Sequence, residues 1–345
     1  MFQVDRPDSR RKPMGAAYDV VALGNAILDV IAPVDDSFLV KHEIPKARMN
    51  MIDEARCAYL YGVLPDNRTE TSGGSAGNTI AGLCSLGARA AFLGKVADDQ
   101  TGAIYISDMR RVGADFFGDP LIGGPATARS MIAVTPDGER SMNTFLGAST
   151  EFAAADVRTD VIAGGEWLYL EGYLFDKPSA QRAFVHACEI AKASGRKVAL
   201  TLSDVFCVTR HRSSFLHLVK SHVDLVFANE SELLALYETE SFDEAVSAVR
   251  RDSRLAAVTR SELGSVVIAE SETWTAPANR VDKVVDATGA GDQYAAGFLF
   301  GLTHGLSLPD SARLGNLAAH EVITHIGPRP ATSLHALAKA SGLVT

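Results

Sequence analysis

Apolar, β-branched runs alternate along this chain with segments whose apolar positions recur at helical spacing. YDVVALG (Tyr18 to Gly24) predicts a buried strand, NTIAGLCSLGA (Asn78 to Ala88) a helix and RAAFLGKVA (Arg89 to Ala97) a strand. The alternation returns further on. WLYLEGYL (Trp167 to Leu174) predicts a strand, SAQRAFVHACEIAKASG (Ser179 to Gly195) a helix ending at its glycine, and KVALTLS (Lys197 to Ser203) a strand. VDLVFAN (Val223 to Asn229) predicts a strand, ESELLALY (Glu230 to Tyr237) a helix and LAAVTRS (Leu255 to Ser261) a strand. Strands alternating with helices give a mainly parallel sheet covered on both faces. Continuous apolar runs suit such strands.

Two stretches break this rhythm. ARSMIAVTPDGERSMNTF (Ala128 to Phe145) predicts two strands around a Pro-Asp-Gly turn, a hairpin. DVIAPVDDSFLVKHEI (Asp29 to Ile44) reads as extended segments. Both are expected in a small β flap, with lid segments about 29–60 and 120–147 inserted into one α/β domain over 18–345. Residues 1–17 are polar and proline-bearing and are expected to be a loose arm. No internal repeat or low-complexity tract appears.

The remaining bulk features narrow the function. The chain has 345 residues, 47% of them apolar and 22% charged, an ordinary globular balance. A formal charge of -9 argues against a non-specific nucleic-acid surface. No apolar run is long enough to span a membrane, and the N-terminal stretch lacks the pattern of a secretory signal, so a cytoplasmic location is expected. Cys57, Cys84, Cys188 and Cys207 form no CxxC pair and are expected to be free, buried thiols. His320 and His325 are five residues apart, not the four that would place both on one helix face for zinc.

Candidate chemistry concentrates in DATGAGDQYAAGF (Asp286 to Phe298). RVDKVVD (Arg280 to Asp286) predicts a short strand, and QYAAGFLFGLTHGL (Gln293 to Leu306), apolar nearly all round, a buried helix. Gly289, Ala290 and Gly291 therefore fall where loop becomes helix. The first N–H groups of a helix lack internal partners, and with the helix dipole they form an anion site. Asp292 stands beside that site, where it would repel an anion. Two readings stay open: a base that takes a proton from an attacking hydroxyl, or a carboxylate complementing the dipole. The segment is neither a Walker loop nor a dinucleotide fingerprint.

DATGAGD (Asp286 to Asp292) resembles the C-terminal signature of the ribokinase-like (PfkB) carbohydrate and nucleoside kinases. GGSAGNTIAGLCSLGARAAFLGKVADDQTG (Gly73 to Gly102) resembles their N-terminal signature, and NESE (Asn229 to Glu232) and VTRSELGS (Val258 to Ser265) resemble motifs between them. The resemblance covers about residues 18–330. It implies a ribokinase-like three-layer α/β/α fold with a mainly parallel central sheet and a small β lid. It also implies a phosphotransferase using ATP and Mg²⁺, and it leaves monovalent-cation activation open. Asp292 matches the family's general base, and Gly289, Ala290 and Gly291 match its anion hole. Asn229 and Glu232 match an element that helps hold magnesium, often through water, although Asn at N-cap with Glu at N3 is also a capping box. Thr259, Gly264 and Asn316 match positions near the nucleotide. Arg260 stands where the family often has lysine.

On the acceptor side, Asp29 matches the family's sugar-binding aspartate, and Gly73, Gly74 and Asn78 match the glycine pair and asparagine that also hold the sugar. A turn at the glycines and a helix cap at Asn78 are the alternatives. Asn25, four residues before Asp29, resembles the adenosine kinases of this family. So does LSDVF (Leu202 to Phe206), which is similar to their LSAPF-type segment but departs from it at Asp204 and Val205. Tyr173 falls where those enzymes have aromatic residues near the purine. Arg140 resembles an arginine that reaches the transferring phosphate. The resemblance thus implies a kinase that phosphorylates the 5′-hydroxyl of adenosine. A sugar kinase of the ribose or fructose type and an inosine-guanosine kinase are the alternatives within the fold, and a silent binding protein is the alternative outside catalysis. The expected partner is a small-molecule substrate, with no nucleic acid or membrane. The chain itself is expected as a monomer or a homodimer paired through the lid.

Overall fold

The computed structural model describes residues 16–345, so most of the expected N-terminal arm lies outside the described residues. In chain order the strands are β1 (Tyr18–Leu23), β2 (Ile27–Pro33), β3 (Met49–Met51), β4 (Thr69–Ser72), β5 (Ala90–Leu93), β6 (Asp115–Phe117), β7 (Ala128–Val134), β8 (Arg140–Phe145), β9 (Gly165–Glu171), β10 (Lys197–Thr201), β11 (Leu225–Asn229), β12 (Leu255–Thr259), β13 (Ser265–Ala269) and β14 (Thr273–Ala276). Nine of them form one sheet in the order β14-β13-β12-β11-β10-β9-β1-β5-β6. Neighbours from β12 to β6 run parallel, and β13 and β14 close one edge antiparallel.

The apolar run of β1 shows why this sheet is covered twice. Val21 and Leu23 enter the core shared with helices Pro178–Ala193 and Val205–Ser221. Val20 and Ala22 enter the opposite core, shared with helices Ser75–Leu86, Ala290–Thr303 and Leu308–Val322. Side chains alternate across a strand, so both sets of positions must be apolar. The result is the expected three-layer architecture.

The other five strands form the small sheet, in the order β3-β8-β7-β2-β4, with β7 and β8 the expected hairpin. Leu28, Val30 and Ala32 of β2 pack with Met131, Ala133, Cys57 and Leu60 on one face. The alternate positions form the other face. Asp29 pairs with Ser130 and Ser130 with Thr144, while Ile132 pairs with Met142 and Met142 with Met49.

Two segments differ from the sequence reading. The second half of the 29–44 stretch is not extended, because Asp36–Lys41 is a helix whose start is capped by Asp35 accepting from Phe38 N. Arg280–Asp286 forms no strand. Val284 and Val285 are exposed, and Val285 N bonds to Ile323 O at the end of a helix, with no strand beside it to pair with. The four cysteines are free; Cys84 is half-buried and the other three are buried. Among the described residues, no helix is long and apolar enough to cross a membrane, and no cluster of three His, Cys, Asp or Glu could hold a metal ion.

Candidate active site

The order of the large sheet reverses at β1, which has β5 on one side and β9 on the other. The crevice outside the carboxyl ends of strands at such a point is where open α/β sheets bind ligands. A cleft of about 1140 Å³ opens there. Its walls come from the ends of β9 to β12, the starts of helices Ser75–Leu86 and Ala290–Thr303, and the outer positions of the small sheet.

At the reversal itself, Glu171 ends β9 and is fully buried. It accepts from Asn25 Nδ2 at 2.8 Å and Asn25 N at 3.3 Å, and from Ala76 N at 2.8 Å. Burial pushes its carboxyl up to about 7 despite these donors. Glu171 thus ties the end of β1 to the first turn of helix Ser75–Leu86. That helix starts at Ser75, three residues before the apolar run suggested, and is capped by Gly74, so Asn78 is not its cap. Gly74 has φ +80, and a Cβ there would strike Asn25 O. A Cβ on Gly73 would strike the Asp29 carboxylate. Close approach at both positions, rather than turn chemistry alone, calls for glycine. Asp29 is buried, and burial pushes it up to about 6, with the charges of Arg140 and Arg329 opposing. Arg329 holds the preceding strand, with Nη2 donating to Ser72 Oγ at 2.8 Å and Nη1 to Asp108 at 3.1 Å.

Asp292 lies on the cleft floor. It accepts from Ser75 Oγ at 2.6 Å and from Asn78 Nδ2 at 3.0 Å. Desolvation pushes its carboxyl up to about 6, against the pull of these two hydrogen bonds. Gly289 caps the helix at φ +80, and a Cβ on it would strike Pro328. A Cβ on Gly291 would meet open space. The N–H groups of Gly291 and Asp292 find no acceptor among the described residues, and both residues line the cleft. This helix start can therefore receive an anion, with a carboxylate of raised proton affinity beside it.

Asp286 supports the loop from behind. It accepts from Thr288 N at 2.9 Å and Gly327 N at 2.8 Å and is ion-paired with Arg140. Burial opposes its ionisation, but these donors and Arg140 hold it below the usual carboxylate range. Arg140 is thus placed on Asp286 rather than on the cleft wall.

The far half of the cleft holds Asn229, Glu232, Thr259, Gly264 and Asn316. Asn229 and Glu232 form the capping box, with Asn229 Oδ1 accepting from Glu232 N at 2.8 Å and Glu232 Oε2 from Asn229 N at 3.0 Å. Burial pushes Glu232 up to about 7. Asn316 Nδ2 donates to Ala276 O and Pro277 O, both at 3.0 Å, which pins the end of β14 beside the cleft. Gly264, at φ +88, turns β12 into β13. Arg260 is drawn off by Glu230 at 2.9 Å.

The structure therefore gathers Asn25, Asp29, Gly74, Asn78, Tyr173, Asn229, Glu232, Thr259, Gly264, Gly289, Ala290, Gly291, Asp292 and Asn316 around one cleft, with Gly73 behind Asp29. Glu171, Ser75 and Arg329 escaped the sequence reading. Glu171 had a legible signal, a lone acid in the apolar run WLYLEGYL. Ser75 and Arg329 had none, since their importance lies in partners 217 and 257 positions away.

A three-layer α/β fold with a glycine-capped helix start and a carboxylate on the cleft floor is the frame of a kinase that phosphorylates a hydroxyl group. The chain belongs to the pfkB family of carbohydrate kinases, which it matches over residues 19–334. It is similar to the adenosine kinase structure from Sinorhizobium meliloti, with 55% identity, a TM-score of 0.87, and coverage of 94% of this chain and 100% of that one. It is also similar to the structure of a probable sugar kinase protein from Rhizobium etli CFN 42, with 49% identity, a TM-score of 0.88, and coverage of 95% and 100%. The adenosine kinase of Saccharomyces cerevisiae is 27% identical over 330 residues, 90% of this chain and 96% of that one.

Proposed function

We propose that this protein is an ATP-dependent adenosine kinase. The observation that carries the reading is the position of Asp292, at the open start of helix Ala290–Thr303 in one cleft that also gathers two different sets of polar residues. One half offers Asp29 and Asn25 to a sugar, beside Tyr173, Phe206 and the lid methionines Met49, Met51 and Met142. Tyr173 is 37% and Phe206 67% exposed, and large rings left to solvent on a cleft wall suit a planar base. The other half offers Asn229, Thr259, Gly264 and Asn316 to the nucleotide.

In this reading the ribose hydroxyls donate to Asp29, and the 5′-hydroxyl reaches Asp292. Asp292 takes the hydroxyl proton as the oxygen attacks the γ-phosphorus of ATP. The bond from that phosphorus to the bridging oxygen breaks, leaving AMP and ADP. The open main-chain N–H groups of Gly291 and Asp292 stabilise the transferring group, whereas that of Ala290 already donates to Ala287 O at 3.3 Å. Arg140 acts from behind the cleft: its ion pair with Asp286 helps hold the loop that carries Gly289 to Gly291. The small sheet acts as a lid that excludes water.

Glu232 lines the cleft, but Asn229 engages both its oxygens, so the donor set fits a magnesium ion bound mainly by phosphates and water. Glu232 and Asn229 would hold it through water, and its charge would neutralise the phosphates. The likeness to the Rhizobium etli protein favours a free sugar as the second reading. ADP release with ATP and Mg²⁺ across adenosine, inosine, guanosine, cytidine, ribose and fructose separates the two. Higher efficiency with ribose or fructose than with adenosine would discard the nucleoside reading.

A further inference from the structure

We infer that Asp204 reads the N–H edge of the acceptor's base, accepting a hydrogen bond from the 6-amino group of adenosine. This rests on the reading of the acceptor as a nucleoside. Asp204 lines the cleft together with the two exposed aromatic residues, Tyr173 and Phe206. Its Oδ1 caps helix Val205–Ser221, accepting from Cys207 N at 2.6 Å, and the residue lines the cleft. The turn that presents it is strained and held. Ser203 adopts φ +74 without being glycine, a conformation that persists only where its surroundings fix it and that clusters at ligand sites. Tyr173 supplies the fixing, since its N donates to Ser203 Oγ and its hydroxyl to Ser203 O, both at 3.2 Å.

The chemistry of this corner suits a base better than a phosphate. A carboxylate is an acceptor only and repels phosphate oxygens. Opposite lie Met49, Met51 and Met142 of the lid sheet, soft side chains that mould to a flat ring. A ring held between the methionines and the aromatic pair would bring its edge to Asp204, since Asp176, the other carboxylate beside these aromatics, is engaged by Arg210 and His211. An amino group there gains an acceptor, and a ring without one offers the carboxylate no donor. Asp204 is also one of the two positions at which LSDVF departs from the similar LSAPF-type segment.

Adenosine and purine riboside, which differ only in the 6-amino group, test the idea. The wild-type protein is expected to prefer adenosine by about tenfold in kcat/KM, the scale of one charge-assisted hydrogen bond. In Asp204→Asn the amide oxygen keeps the cap and turns a donor toward the cleft. The preference is expected to vanish through a higher KM for adenosine, with KM for ATP unchanged. Asp204→Ser also keeps a cap and withdraws the acceptor, and should lose the preference in the same way. A wild-type protein indifferent to the amino group, or variants that keep the wild-type ratio within twofold, would overturn the role of Asp204 while leaving the nucleoside reading intact. Turnover of neither nucleoside by the wild-type protein would overturn both.

Discussion

Two helices start at this cleft on a glycine, although the backbone leaves Gly74 at ψ 145 and Gly289 at ψ 0. Ser75–Leu86 and Ala290–Thr303 are each capped by a glycine at φ +80 with no side-chain cap, and each is buried along most of its length. Both bring a positive helix end to the same space. At the first, Ala76 N donates to the buried carboxylate of Glu171, so the protein supplies its own anion. At the second, the N–H groups of Gly291 and Asp292 find no protein acceptor. One end is therefore a fixed joint and the other an open receptor. Ser75 and Asn78 of the first hold Asp292 of the second, so the joint sets the aim of the candidate base. Two glycine-capped helix starts do different work according to whether a carboxylate already fills them.

The comparison can be broken most severely at Asp292. Asp292→Asn is expected to lower kcat about a thousandfold, the scale of a lost general base, while calorimetry still finds adenosine bound. Turnover within a few-fold of wild type would remove Asp292 from the chemistry. Next comes the filled end. Glu171→Gln removes the charge that Asn25 and Ala76 N share, and is expected to raise KM for the acceptor about tenfold with little change in KM for ATP. An equal rise in both would mean that the two ends are not separate in function.

The glycines give a paired test. Gly291→Ala adds a methyl group to open space within a helix, so the melting temperature should hold while KM for ATP rises several-fold, roughly the scale of a displaced phosphate contact. Gly289→Ala meets Pro328 at a positive φ and should lower the melting temperature itself. Equal thermal effects would show that Gly291 is not open as described. The smallest effect is in the pH profile. Asp292 must be ionised to accept a proton, so kcat/KM should fall as pH drops through about 6. Asp29, also raised to about 6, should make that fall steeper than one ionisation allows. Ser75→Ala removes a hydrogen bond that favours the charged form of Asp292, so the acid limb should move to higher pH. Movement to lower pH would contradict the hydrogen bond.

Local pattern along the chain carried the layers and the small-residue helix start on the cleft floor. Unbroken apolar runs such as that of β1 can be buried only on both faces, and DATGAGD before an apolar helix can only be a small-residue turn at a helix start. Asn229 and Glu232 were legible as a capping box because their partners are three residues apart. The tertiary structure decided what distance in sequence hides. It drew Val285 to Ile323 rather than to a neighbouring strand, and it placed Arg140 on Asp286. It also brought Glu171 to Asn25, Ser75 to Asp292 and Arg329 to Ser72. Local pattern reports the conformation a segment favours within a few residues. Which buried carboxylate meets which donor depends on how the sheet order folds those segments together, and no short-range periodicity carries that information.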